Sequence, residues 1–210
     1  MKLLSTTSTI VLLSAITMLM MISGLRAESL ENDSAKRVVV ALQDTLIEVM
    51  QQGQEVGYSG RLKLLAPVIE QTHDLAAIIR SVLSAHWAKL DSDHQQAIIQ
   101  VFRANSIATY ADRFNRYDGE QFKTIEQVQL PRGRVLVRSQ LIRSDGGPVN
   151  FDYVMHETDG SWRIINIIVD GVSDLALKRA EYSAVLQKDG IATLIDMLKQ
   201  KTARIEQNQS

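Results

Sequence analysis

Two hydrophobic periods divide this chain. Apolar residues recur at steps of three and four up to about residue 117, at steps of two from Phe122 to Asp170, and at three and four again from Ser173. The first spacing predicts amphipathic helices and the second predicts strands buried on one face. From Asp33 onward, Val38, Leu42, Leu46 and Val49 form a stripe, widened by Val39, Ile47 and Met50. Asp33 or Ser34 suits the N-cap of that helix, and Gln51-Gln52-Gly53 is expected to end it. Leu62, Leu65 and Ile69 share a second helical face, where Pro67 is expected to kink the chain or open a new turn. Asp74 caps a third helix with Leu75, Ile78, Ile79, Val82 and Leu83 inward, ending near His86-Trp87. The cluster Leu90-Asp91-Ser92-Asp93 opens the longest pattern, from about Asp93 to Tyr117. One face of it carries Ile99, Phe102, Ser106, Tyr110, Phe114 and Tyr117.

Phe122–Leu130 alternates loosely and stops at Pro131, while Val135–Ile142 is bounded by Arg132-Gly133 and by Ser144-Asp145-Gly146-Gly147. Val149–Glu157 alternates cleanly, with Val149, Phe151, Tyr153 and Met155 on one face. Trp162–Asp170 is the most apolar strand and closes at Asp170-Gly171. Connections this short permit only an antiparallel meander. Ser173 or Asp174 then caps a helix bearing Leu175, Leu177, Tyr182, Val185 and Leu186, with Gly190 as its left-handed stop. A last helix carries Ile191, Leu194, Ile195 and Leu198. Helices over 33–117, a sheet over 120–171 and helices over 173–206 predict an α+β domain: helices packed on a curved, four-stranded antiparallel sheet. A curved sheet roofed by helices can enclose an apolar cavity.

The N-terminus adds a targeting signal to this picture. Lys2 precedes the apolar run Ile10–Ile22, which Ser23-Gly24 breaks before Leu25-Arg26-Ala27. A basic start, a short apolar core and a small residue before a polar sequence describe a secretory signal peptide over 1–27, with 28–210 as the mature domain. The alternative is an uncleaved anchor, for which the apolar core is short. The mature domain is then expected to be secreted through the inner membrane. Composition is that of an ordinary globular chain, with 45% hydrophobic and 22% charged residues. A net charge of −1 without a basic stripe argues against a nucleic-acid partner. The absence of cysteine excludes disulfides, thiolate metal sites and cysteine nucleophiles.

No catalytic constellation stands out. His73, His86, His94 and His156 show no metal-ligand spacing, and there is no nucleophile elbow, phosphate loop or dinucleotide fingerprint. Asp170 is the one carboxylate worth marking. It is either a general base or polar anchor at a cavity mouth, or a turn residue holding the amides of Gly171–Ser173. Arg138 and Arg143 are either partners for an anionic head group or the wet face of the sheet.

The stretch Trp162–Ser173, W-R-I-I-N-I-I-V-D-G-V-S, resembles the W-x-(I/V)-x-(D/N)-(I/V)-x-(V/A)-(D/E)-G-V-S pattern of the MlaC family of periplasmic lipid carriers. Lys178–Tyr182 (K-R-A-E-Y), Lys188-Asp189-Gly190-Ile191, Phe102-Arg103 with Tyr110, and Gly147-Pro148-Val149 extend the likeness. Within that family, L-A-P-V-I ending at Ile69 and Y-D-G-E-Q-F over Tyr117–Phe122 are similar to the hopanoid-associated HpnM branch. In place of the stronger apolar-aromatic pair usual near the third helix stands Leu75-Ala76-Ala77. The resemblance implies a non-enzymatic shuttle for a phospholipid or hopanoid, needing no cofactor and no metal. It also implies an inner-membrane ABC transporter complex with a lipid-binding accessory domain as partner, and an outer-membrane lipoprotein complex as a further one. The expected lipid-lining residues are Phe102, Tyr110, Phe114, Val137, Phe151, Tyr153, Met155, Ile165, Ile167, Val169 and Tyr182. The competing reading is a small enzyme acting on an apolar substrate in a cone-shaped α+β fold, with Asp170 as its acid or base.

Overall fold

The computed structural model describes residues 7–144 and 146–209, with side chains from Ser34 onward apart from Gln54. The expected cleavage point after Ala27 therefore falls outside the residues whose side chains are described. Among the described residues no helix is long and apolar enough to cross a membrane.

Helix α1 runs Thr7–Thr72 and breaks once, at Gly57. Its inward stripe is Val39, Leu42, Leu46 and Val49, all at or below 1% exposed, so Val39 takes the central place expected for Val38, which is half-buried at the edge of the same face. Gly53 does not end the helix. It is a close-packing position, since a Cβ there would lie 2.6 Å from the carbonyl oxygen of Asn115. Pro67 sits within helical geometry, so the expected kink moves ten residues upstream, to Gly57.

Helix α2 (Leu75–Leu83) starts where Asp74 Oδ1 accepts the Ala77 amide at 2.8 Å, and a short 3-10 helix, Ser84–Lys89, follows it. Helix α3 (Ser92–Arg113) is capped in the same way by Asp91 on the His94 amide. It ends earlier than the aromatic stripe suggested, because Phe114 and Tyr117 already belong to the connection into the sheet.

Strands β1 (Gln121–Leu130), β2 (Arg134–Ile142), β3 (Val149–Thr158) and β4 (Ser161–Val169) form the meander in chain order. A fifth strand, β5 (Val172–Ser173), pairs antiparallel with β4, so the sheet has five strands rather than four. Both two-residue turns use Asp-Gly with the aspartate at positive φ: Asp159-Gly160 and Asp170-Gly171. Two such residues reproduce the twist that a two-residue hairpin demands. Register slips between Thr124 and Glu126 on β1 and opposite Val154/Met155 on β4. Each bulge inserts one residue, Ile125 and Ile165, and bends its strand. The sheet is thereby curved at both sides of its concave face.

Helix α4 (Asp174–Asn208) breaks at Gly190, as expected. Asn166 holds its start, because its Oδ1 accepts the Leu175 amide at 3.1 Å and the Ser173 hydroxyl at 3.2 Å. The first arm of α1 lies over the sheet's concave face. A link at the end of α1 adds to the β4 edge, where the Asp74 amide donates to the Ile164 carbonyl at 3.0 Å. Helix α4 packs chiefly on α3 and α2.

Candidate functional site

Strand register fixes which side chains share the concave face, because directly paired residues point the same way. The outermost row is Phe122, Leu141 and Val149, all half-buried. Next comes Thr124, Ser139, Phe151, Val169 and Val172. Below it lie Val137, Tyr153 and Ile167, and then Val135, Met155 and Ile164. Burial deepens in that order: Val135, Val137, Tyr153, Met155 and Ile164 are at or below 1% exposed. An aromatic seam descends the same path. Phe122 meets Phe151 edge-on at 5.8 Å, and Phe151 stacks on Tyr153 at 6.2 Å. At its foot, Gln43 of α1 donates to the Tyr153 hydroxyl at 3.4 Å, and burial pushes that phenol's pKa up.

Of the eleven sequence-derived residues, ten belong to or pack against one apolar cluster: Phe102, Tyr110, Phe114, Val137, Phe151, Tyr153, Met155, Ile165, Ile167 and Tyr182. Val169 is half-buried beside Phe151 in register. Ile165 is the bulged residue, so the slot opposite Met155 goes to Ile164, which the alternation did not single out. Tyr182, from α4, is buried against the same cluster, and its phenol's pKa is raised by desolvation.

A second aromatic group lies on the helical side. Tyr110 stacks on Phe114 at 5.8 Å and meets the His73 ring edge-on at 5.5 Å. A hydrogen-bond chain runs through it. Thr72 donates to the Val68 carbonyl at 2.7 Å, so its oxygen receives the His73 Nδ1 proton at 2.9 Å. His73 Nε2 is then the acceptor for the Tyr110 hydroxyl, also at 2.9 Å. That arrangement suits a neutral imidazole, and full burial pulls its pKa down to about 4. In the sequence His73 stands as one of four histidines without metal-ligand spacing. Its context came from Thr72 beside it and Tyr110 on another helix.

A cleft of about 400 Å³ lined by Glu70, His73, Asp74, Arg103 and Arg163 is more polar than apolar, and none of the eleven residues lines it. Most of its charged groups are already committed. Arg103 pairs with Glu70, Arg163 donates to the Glu70 and Gln71 carbonyls that end α1, and His156 Nε2 lies 3.0 Å from Asp74. Asp170 is exposed and occupied as a turn residue. Its Oδ1 accepts from the Asn150 amide at 2.9 Å and from Asn150 Nδ2 at 3.0 Å, rather than from Gly171–Ser173. Arg138 is on the convex face, donating to Asp152 at 2.9 Å and pairing with Glu126. Among the described residues no cluster of His, Asp or Glu is arranged to hold a metal.

One residue on the concave face was passed over in the sequence. Ser139 interrupts the inward series Val135, Val137, Leu141 and is fully buried, with a hydroxyl that has no hydrogen-bond partner among the described residues. The break in that alternation was its available signal.

A curved antiparallel sheet closed by helices on one face, with an aromatic seam between the layers, defines an α+β protein built around an apolar interior. Across residues 41–200 the chain matches the family model described as MlaC protein, and it belongs to the MlaC family. Toluene tolerance protein ttg2D of Pseudomonas putida is 21% identical over 135 residues, or 63% of this chain. The chain spans about three fifths of that curated relative, the match covering 60% of its length. Among solved structures, the phospholipid-binding protein from Ralstonia solanacearum, in complex with a phospholipid, superposes with a TM-score of 0.70 at 19% identity. That match covers 82% of this chain and 99% of the other, and it shows a shared fold.

Proposed function

We propose that this protein is a periplasmic carrier that takes up one membrane lipid, a phospholipid or hopanoid, and passes it between membrane complexes. Its tails insert between the concave sheet face and the helices, while the head group stays in water. The observation that carries the reading is the seam Phe122–Phe151–Tyr153. It leads from a half-buried rim into deeper, mainly apolar rows, on a fold shared with a phospholipid-bound structure. Each methylene removed from water is worth about 0.8 kcal/mol, so a two-tailed lipid crosses an aqueous compartment only inside such an interior. Binding of this kind needs no titrating group. An ABC transporter complex of the inner membrane and a lipoprotein complex of the outer membrane are the partners that family membership supports.

Organic extraction of the purified mature protein, followed by mass spectrometry, tests the reading. One lipid per protein is expected, and the species recovered names the ligand class. Protein expressed in a lipid-rich host that yields no lipid would count against the carrier.

A further inference from the structure

We infer that the Ser139 hydroxyl is an interior anchor for the ester carbonyl of a bound acyl lipid. The inference rests on the carrier reading above and adds a specificity determinant to it.

Ser139 is 0% exposed, and its Oγ has no hydrogen-bond partner among the described residues. A buried hydroxyl without a partner is destabilising, because it has lost water and gained nothing. A dry core would favour valine or alanine there, in line with Val135 and Val137 on the same strand face.

The position of Ser139 along the seam gives the hydroxyl a use. It lies one row inside the half-buried rim of Phe122, Leu141 and Val149, and one row outside the buried pair Val137 and Tyr153. Rows two residues apart along a strand are separated by roughly 6–7 Å. Down the face, a rim open to water gives way to a row with two hydroxyls, Thr124 and Ser139, and then to rows dominated by hydrocarbon, whose polar members are Gln127 and the Tyr153 hydroxyl. A diacyl lipid has the same sequence of zones in head group, ester carbonyls and tails.

Neighbouring groups strengthen the match. Thr124 stands opposite Ser139 in register, and the Tyr153 hydroxyl with Gln43 lies one row deeper. Paired residues on this face at the Ser139 row are Thr124, Phe151 and Val169, none of them charged. The row therefore suits a neutral oxygen rather than a phosphate or carboxylate. A serine O–H donates and an ester carbonyl accepts, so the two are complementary. An ether oxygen in the same place is a much poorer acceptor.

The experiment compares dioleoyl phosphatidylglycerol with its dialkyl ether analogue, of the same chains and head group, on the full mature protein. Wild type is expected to bind the diester about fivefold more tightly, the scale of one net hydrogen bond. Ser139→Ala should abolish that preference by weakening the diester alone. A carbonyl-labelled diester in the wild-type complex should show a lowered infrared stretching frequency that Ser139→Ala restores. Because the substitution removes an unpartnered hydroxyl, the lipid-free variant should melt at or above the wild-type temperature. Tight binding of both lipids, with the same ratio in wild type and Ser139→Ala, overturns the anchor and leaves the carrier intact. Failure of wild type to bind either lipid overturns the carrier and the anchor together.

Discussion

At His73, burial and hydrogen bonding decide the protonation state. The imidazole is enclosed between the Thr72 and Tyr110 hydroxyls, and burial lowers its pKa from 6.5 to about 4, against the opposing pull of the Ile69 carbonyl and the charge of Asp174. Between those values the unfolded chain binds a proton that the folded protein refuses. Stability from this group is therefore complete above about pH 6.5 and is lost as pH falls toward 4, at about 1.4 kcal/mol per pH unit. Urea midpoints measured from pH 7 to 4.5 should fall more steeply for wild type than for His73→Asn. Equal slopes would mean that His73 takes up its proton as readily in the fold as in the unfolded chain. Arg61 shows the same economy of buried polarity. At 4% exposed, it donates to Gly53 and Ala111 carbonyls near the break in α1 and the end of α3, and to the Gln209 side chain that follows α4.

At the scale of elements, each of the two long helices is interrupted at one glycine. Gly57 has φ 61 and ψ −176, and Gly190 has φ 80 and ψ −179. That region of backbone space is open essentially to glycine alone. An alanine at either place must adopt a strained conformation or straighten the helix, and straightening would lift one arm off the core. Gly57→Ala and Gly190→Ala are each expected to cost about 1–3 kcal/mol, read as a lowered denaturant midpoint. An unchanged midpoint would show that the bends are incidental. The sequence marked Gly190 through Lys188-Asp189-Gly190, but it marked Gly53 in place of Gly57. Both glycines look alike in sequence. Only the approach of the Asn115 backbone shows that Gly53 is small for packing and not for turning.

At the scale of the whole molecule, the rim of the seam is where a bulky charge can be placed without destroying the fold. Phe151 is half-buried, whereas Tyr153 one row deeper is closed off. Phe151→Arg should leave far-ultraviolet circular dichroism unchanged, since a long cationic side chain can reach water from there. The same variant should lose most co-purifying lipid. Full lipid recovery from folded Phe151→Arg would place the ligand on another surface and would sink the seam as its route. Asp170→Asn supplies the contrasting control. Its carboxylate holds Asn150 at the mouth of the β3–β4 pair, so the substitution is a structural change and should leave lipid content intact.

Much of this arrangement was determined by the sequence alone. The change of period from 3.6 to 2 and back marked the helical stretches and the four long strands, because that period records which face of each element leaves water; it did not mark the 3-10 helix Ser84–Lys89. Short links between the four long strands, only one of them a two-residue Asp-Gly turn, determined the meander, since so few residues cannot cross to a parallel neighbour. The strand Trp162–Ser173 carried the family pattern for a related reason: it packs inward, turns at Asp170-Gly171 and starts a helix at Ser173 within twelve residues. What the sequence could not contain was the set of distances between elements far apart in the chain. The bulge that exchanges Ile165 for Ile164, the union of His73 with Tyr110, the capture of Asp170 by Asn150 and the solitary hydroxyl of Ser139 all depend on register or packing between separate segments. Tertiary structure decided those, because a periodic pattern states that a face is buried and leaves open what it is buried against.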